Sequence, residues 1–240
     1  MRYSNSKHRV PRKLPLTEDL LRLFGYFLAE GHVASSRTRP HSKTVVFTFN
    51  RKEKMYIEDV RKLVKSYFAL DTALSDTGTA IQISVYSAIV ADLFERLFGS
   101  GASRKHLPWS WLYLPQEKQV GVLLGYLRGD GYKIPKRICF NTVSRILAEQ
   151  LQMLFNRFGM YSSLQITPQG KYPSTIGSRT FEALHDRYDV WVFGKARDQL
   201  NELLGHQFPD ERGSSRRQRW MKTNRFILVP ITTVSQKPYR

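Results

Sequence analysis

Cysteine is nearly absent: one residue, Cys139, in a chain of 240. An internal disulfide is therefore impossible, and so is a zinc site built on several thiolates. The six histidines are scattered with no His-x-x-x-His spacing, so a zinc enzyme is not expected. No apolar run approaches the ~20 residues that a membrane span needs, and the first residues, Met1-Arg2-Tyr3-Ser4-Asn5, lack the apolar core of an export signal. A soluble protein of the cytoplasm or an organelle, not secreted and not membrane-bound, is the expectation. Acids are also scarce, at 20 Asp and Glu against 38 Lys and Arg, and no Glu-x-Lys triplet occurs anywhere. That removes one common nuclease core from consideration.

What is present is charge of one sign on a globular composition. The formal charge is +18, with 41% hydrophobic and 12% aromatic residues. Disorder as the main state is excluded by that apolar content. A charge of this size fits nucleic acid best, because each phosphate neutralised by Lys or Arg releases condensed counterions. A merely basic surface is the alternative.

Residues 1–16 carry Arg2, Lys7, Arg9, Arg12 and Lys13, two prolines and no acid, which marks an extended lead-in. From Thr17 the pattern becomes helical, with Glu18 and Asp19 in the first turn and apolar residues at helical spacing up to Glu30-Gly31. Strict alternation over 44–50 predicts a strand with Val45, Phe47 and Phe49 inward and Thr44, Val46, Thr48 and Asn50 outward. A helix over about 53–68, a turn at Asp76-Thr77-Gly78, a strand over 79–86 and a helix over 89–98 follow.

The same order then returns: helix 120–131, strand 137–142, helix 145–158, strands 160–166 and 188–193, and helix 196–204. The repeat is visible in letters. Leu23-Phe24-Gly25-Tyr26-Phe27-Leu28-Ala29-Glu30-Gly31 aligns at an offset of 100 with Leu123-Leu124-Gly125-Tyr126-Leu127-Arg128-Gly129-Asp130-Gly131. A duplicated α-β-β-α-β-β-α unit is the main organisational fact. The units are placed at 17–112 and 113–225, between the lead-in and a C-terminal strand or tail at 226–240.

Two helices ending in acid-Gly pose a chemical question. Gly25 and Gly125 each cost a helix roughly 1 kcal/mol against alanine, so two backbones are expected to approach closely there. Glu30 and Asp130 would then meet at the end of the seam, at the helix ends that disfavour negative charge. Divalent cations would relieve both the repulsion and the misplacement, and hard oxygen ligands of this kind suit Mg²⁺ in phosphodiester hydrolysis. One such helix end would be an ordinary capped core helix; two at matched places point to a function.

The segments 21–31 and 121–131 resemble the two motifs of a monomeric LAGLIDADG (dodecapeptide) homing endonuclease, and the order of elements agrees over nearly the whole chain. Glu30 in place of the first Asp is a variation within that family. The resemblance implies an α+β fold in which two pseudo-twofold repeats form a saddle of antiparallel sheets on the major groove of double-stranded DNA. It implies two or three Mg²⁺ ions at Glu30 and Asp130, with Mn²⁺ or Ca²⁺ able to substitute for binding, and a monomer that cuts both strands. A backbone ligand at position 29, here Ala29, stays unassigned.

The polar residues that end the early strands, Asn50 and Asn141, are implied catalytic participants, although an asparagine there is also an ordinary turn or cap residue. Lys105, in Lys105-His106-Leu107-Pro108, resembles the Lys-x-x-Pro segment of intein endonucleases; Lys222 is the candidate in the second half, and Lys133 a further one. Any single lysine in so basic a chain is equally a phosphate contact. DNA contact is expected of Thr44, Val46 and Thr48 on the first sheet and of Arg137, Cys139 and Asn141 on the second. Lys171 and Arg179 in the long 168–186 loop, and the basic run with Arg216, Arg217 and Arg219, are expected along the backbone. The flanks at 13–16 and 226–234 look like joints to an intein's splicing domain, but no terminal nucleophile or His-Asn pair is present, so splicing is not expected. The alternative function is a LAGLIDADG-derived RNA splicing maturase or non-cleaving DNA-binding regulator.

Overall fold

The computed structural model describes residues 10–35, 38, 42–134, 137–170, 174–176, 179–181, 184–205, 221–222 and 227–228, with backbone alone at 133–134, 174–176, 179–181 and the last two pairs. The first repeat runs α1 (Glu18–Glu30), β1 (Gly31–Ser35), β2 (Lys43–Asn50), α2 (Lys54–Phe68), β3 (Ala73–Asp76), β4 (Ala80–Val85) and α3 (Ala88–Phe98). The second runs α4 (Gln116–Asp130), β5 (Gly131–Ile134), β6 (Arg137–Thr142), α5 (Arg145–Arg157), β7 (Ser162–Thr167), β8 (Ser174–Ile176), β9 (Arg179–Phe181), β10 (Arg187–Phe193) and α6 (Lys195–Leu203). Two short strands, β11 (Met221–Lys222) and β12 (Ile227–Leu228), pair with each other. None of the described helices is long and apolar enough to cross a membrane.

Each repeat holds one four-stranded antiparallel sheet, in the orders β1-β2-β4-β3 and β5-β6-β10-β7, with β8 and β9 forming a separate hairpin between β7 and β10. The α+β duplicated architecture is thus the one the sequence predicts. Alternation decides which face is buried. In β2, Val45, Phe47 and Phe49 turn toward the helices, and their register partners Val85, Ile83 and Ile81 in β4 do the same. In β6 and β10 the corresponding residues are Ile138, Phe140, Val190 and Val192. The opposite face of each sheet is open.

The strands that directly follow the acids, β1 and β5, escape the sequence reading, as does β3. Glycine correctly stops each helix, but β1 and β5 are too short to display a period, and β3 is exposed along its whole length and has no inward face to alternate with. The turn at Asp76-Thr77-Gly78 is present: Gly78 takes φ +92° and its N–H donates to Asp76 Oδ1 at 2.8 Å.

Helix α1 begins where Thr17 accepts from Leu20 N at 3.2 Å, with Glu18 and Asp19 in its first turn. Beyond that turn it is apolar on nearly every side, as is α4, because each lies between its own sheet and the other helix. They run parallel and touch along a row of glycines. A Cβ on Gly25 would meet Val122 O at 2.4 Å, and one on Gly121 would meet Glu18 O at 2.1 Å.

The segment between α3 and α4 is a strap pinned to both repeats. Trp111 packs against Phe24 at a tilt and edge-to-face against Phe98, with centroids 5.3 and 5.7 Å away. On the other side the Gln150 amide bonds the Leu107 backbone in both directions (2.7 and 2.8 Å), and Ser144 Oγ donates to Lys105 O at 2.5 Å. A second tie crosses between repeats: Arg22 forks onto Asp59, which also accepts from Tyr26 and from Arg128 of α4.

Candidate active site and nucleic-acid interface

The parallel packing of α1 and α4 brings their last residues together. A Cβ on Gly129 would meet Ala29 Cβ at 2.5 Å and Glu30 Cγ at 2.9 Å, so the two motif ends are in contact. Both acids are half-buried there. Burial first, then the Asp130 and Glu53 carboxylates, push Glu30 up to about 7. Burial also raises Asp130, to about 6, against the pull of Lys105. Burial thus disfavours the ionised form of both carboxyl groups, which a bound cation would restore.

Among the described residues, Lys105 is the one cation acting on both acids, and it is only 9% exposed. Its ammonium donates to Phe27 O at 3.1 Å, Leu28 O at 2.8 Å and Ala29 O at 3.3 Å, and lies 5.6 Å from the Phe27 ring. An ammonium has three donors, and all three are directed at the terminal carbonyls of α1. Burial draws its pKa down to about 8 while Asp130 and Glu30 push back. Lys105, which the family resemblance makes a candidate near the scissile phosphate, stands beside the acids with its ammonium aimed into the backbone of α1.

Asn50 ends β2, exposed. Its Oδ1 accepts from Lys52 N at 3.0 Å, and its own N–H donates to Glu53 Oε2 at 2.8 Å, so it builds the turn into α2. Asn141 sits at the matching place in β6, where its backbone carbonyl accepts from the buried Tyr126 hydroxyl at 2.6 Å. Glu53 acts on Glu30 and His32 lies within reach of Lys105, neither signalled by the sequence; neither belongs to a motif, and only the folded turn and β1 bring them in. Among the described residues, no group of three or more His, Cys, Asp or Glu is gathered for a metal. The donors on offer are the Glu30 and Asp130 carboxylates, hard oxygens of the kind that hold Mg²⁺ through one or two carboxylates plus substrate phosphates.

On the open faces, Thr44, Val46, Thr48 and Asn50 share one side of β2, although Val46 is only 7% exposed. In β6, Arg137, Cys139 and Asn141 share the open side, with Arg137 exposed and Cys139 covered to 2%. Alternation assigns Cys139 its side but not its cover, which comes from the long side chains of β10. Trp191 is its register partner and Asp189 accepts from its thiol, and burial together with Asp189 pushes that thiol up to about 12. Lys133 lies in β5, Arg179 in β9 and Lys222 in β11, where backbone alone is described. Lys171, Arg216, Arg217 and Arg219 lie outside the described residues.

Comparison with known proteins gives the second repeat a family match and the whole chain a shared fold. Residues 117–193 match the family model of the LAGLIDADG-like domain. An uncharacterized protein of Methanocaldococcus jannaschii is 30% identical over 241 residues, covering 97% of this chain and 28% of its own length. The ATP-dependent DNA helicase Hel308 of Thermococcus kodakarensis is 28% identical over 98% of this chain and 20% of its own length. An iron-sulfur cluster assembly SufBD family protein of Mycobacterium tuberculosis is 29% identical over 77% of this chain and 22% of its own length. The chain thus spans under a third of each of these relatives. Among solved structures, the homing endonuclease I-DmoI in complex with DNA and Mn superposes with a TM-score of 0.59, at 11% identity, over 81% of this chain and 99% of that one. The homing endonuclease I-WcaI bound to its DNA recognition sequence gives 0.51 at 13% identity, over 84% and 87%. At such identities the likeness is one of fold. Residues 117–193 are thus a LAGLIDADG-like domain, the first half repeats the same order of elements, and the whole shares its fold with these two homing endonucleases.

Proposed function

We propose that the protein is a site-specific endonuclease that hydrolyses both strands of a double-stranded DNA target in a divalent-metal-dependent reaction, acting as a monomer with Mg²⁺ at Glu30 and Asp130. The observation that carries this reading is the pair of acids at the touching ends of α1 and α4, both raised by burial, and Glu30 also by the Asp130 and Glu53 carboxylates. A divalent ion bound there would supply charge stabilisation on the scissile phosphate and a more acidic water.

The chain's own groups do the rest. Glu30 and Asp130 present one carboxylate from each repeat across a pseudo-twofold axis, and the two backbones of a duplex are related by the same kind of axis. One acid can therefore serve each strand. The glycine seam sets their separation, and Lys105 fixes the last turn of α1 and so the start of Glu30. In this role Lys105 positions a ligand rather than touching the phosphate. The +18 charge supplies affinity for the DNA backbone.

The relatives support a mobile unit. A helicase and an iron-sulfur assembly protein share no chemistry, yet each matches this chain over about a fifth of its length. That is the pattern of a unit inserted into unrelated hosts, in keeping with the intein-like flanks.

The test is incubation with Mg²⁺ and a genomic or randomised DNA library, read by sequencing of ends. Specific double-strand breaks are expected. Tight binding without breaks would instead favour the non-cleaving regulator.

A further inference from the structure

The two sheets differ on the faces they leave open. Among the described residues, no arginine or lysine stands on the open side of β1, β2, β3 or β4, where Thr44, Thr48, Gln82 and Ser84 are typical. The open side of the second sheet carries two arginines, and each is already held in place. The Arg137 guanidinium carbon stands over the Trp191 ring, 4.4 Å from its centroid. Arg187 points Nε and Nη2 at Asp189 Oδ2, at 3.2 and 3.1 Å. Asp189 is itself 5% exposed and is steadied from the other side by Cys139.

We propose that Arg137 and Arg187 are the specificity-determining residues of the second repeat, each reading a guanine in the major groove, whereas the described strands of the first sheet offer no arginine for such a contact. This rests on the DNA-cleavage reading above. Guanine offers O6 and N7 as adjacent acceptors, which the arginine fork matches with two parallel donors. Contact with the Trp191 ring engages no acceptor atom, so the donors of Arg137 remain for a base. The Asp189 contact uses one edge of Arg187 and leaves the other edge of the fork.

A long side chain that must be ordered on binding loses rotamer freedom, worth about 2 kcal/mol for arginine. These two are ordered before DNA arrives, which suits reading a base better than neutralising a phosphate. Their spacing is fixed by the register. Arg137 pairs with Phe193, six residues along β10 from Arg187. At ~3.3 Å per residue the separation is roughly 20 Å, so the two guanines lie no more than about six base pairs apart at 3.4 Å per step.

The experiment is selection of bound sites from a duplex library with a long randomised centre, in Ca²⁺, for the wild type and for Arg137→Lys, Arg187→Lys, Asp189→Asn and Trp191→Phe, each checked for an unchanged melting temperature. The wild type is expected to enrich two strongly preferred G·C pairs in one half-site. Arg187→Lys and Asp189→Asn should relax the same one of these pairs, and Arg137→Lys and Trp191→Phe the other, by about 5- to 150-fold in discrimination for the lysine variants. Enriched sites whose base profile is the same in both lysine variants, or affinity lost evenly at all positions, overturn this proposal alone. A wild type that enriches no sequence overturns the cleavage reading along with it.

Discussion

A Cβ placed on Gly125 would stand 2.1 Å from the carbonyl oxygen of Arg22, so the two central helices meet backbone to backbone. Alanine favours a helix over glycine by about 1 kcal/mol, yet here the added methyl strikes backbone that cannot move aside without parting α1 from α4. Overpacking of a tight contact costs about 1–3 kcal/mol, and the clash wins. Gly125→Ala is therefore expected to lower the denaturation midpoint and to slow cleavage; an equal or higher midpoint would contradict the seam.

Removing charge from the acid pair should separate stability from activity. Glu30→Gln and Asp130→Asn delete a half-buried carboxylate that burial disfavours, and for Glu30 the repulsion of Asp130 and Glu53 as well. Each variant is expected to melt higher than the wild type in metal-free buffer at neutral pH, to bind DNA, and to lose double-strand cleavage. Full cleavage by both would remove them from the metal site.

The pH dependence has a definite sign. Glu30 is raised to about 7 and Asp130 to about 6, so the metal-free folded protein retains protons that the unfolded chain releases near pH 4. The contribution of these groups is full below about pH 4 and is lost as pH rises through about 6 and 7. Divalent ions compete with those protons, so the thermal shift caused by Ca²⁺ should be small near pH 5 and large near pH 8. A pH-independent shift would place the ion elsewhere.

Lys105 offers a test of positioning. Lys105→Met leaves the Phe27, Leu28 and Ala29 carbonyls without their donor and the two acids without their nearby cation. A loss of about 3–5 kcal/mol is expected, the range for breaking a buried charged contact, measured by chemical denaturation. The steeper pH dependence of stability that follows from losing the cation distinguishes this role from packing alone.

Affinity for DNA should depend steeply on salt. With six to ten phosphates contacted, binding is expected to weaken by roughly 10³ to 10⁵ between 50 and 200 mM salt, read by fluorescence anisotropy. A flat response would mean that the +18 charge is not at the interface.

The acids, the glycine seam and the duplicated order of elements were all legible in the sequence, because each depends on local spacing: a helical period, a glycine in a helix, an acid before the stop. Lys105 was legible as a candidate residue but not as a cap, since its direction is decided by the strap that delivers it from 77 residues away to Leu28 O. Alternation placed Cys139 on the open face and could not show that β10 covers it. Arg187, Asp189 and Trp191 went unread even though β10 alternates, because their partnership with Arg137 and Cys139 exists only in the register between strands.

The strap between the repeats limits what recombination can do with such a gene. Trp111 is seated among the aromatic residues of the first repeat, whereas Leu107 is gripped by Gln150 of the second. A chimera that joins the first half of this chain to the second half of a relative inherits one side of the joint without the other. Exchange of halves, the simplest route to a new target, is therefore open only to partners that bring a matching glutamine and serine in the helix facing the strap.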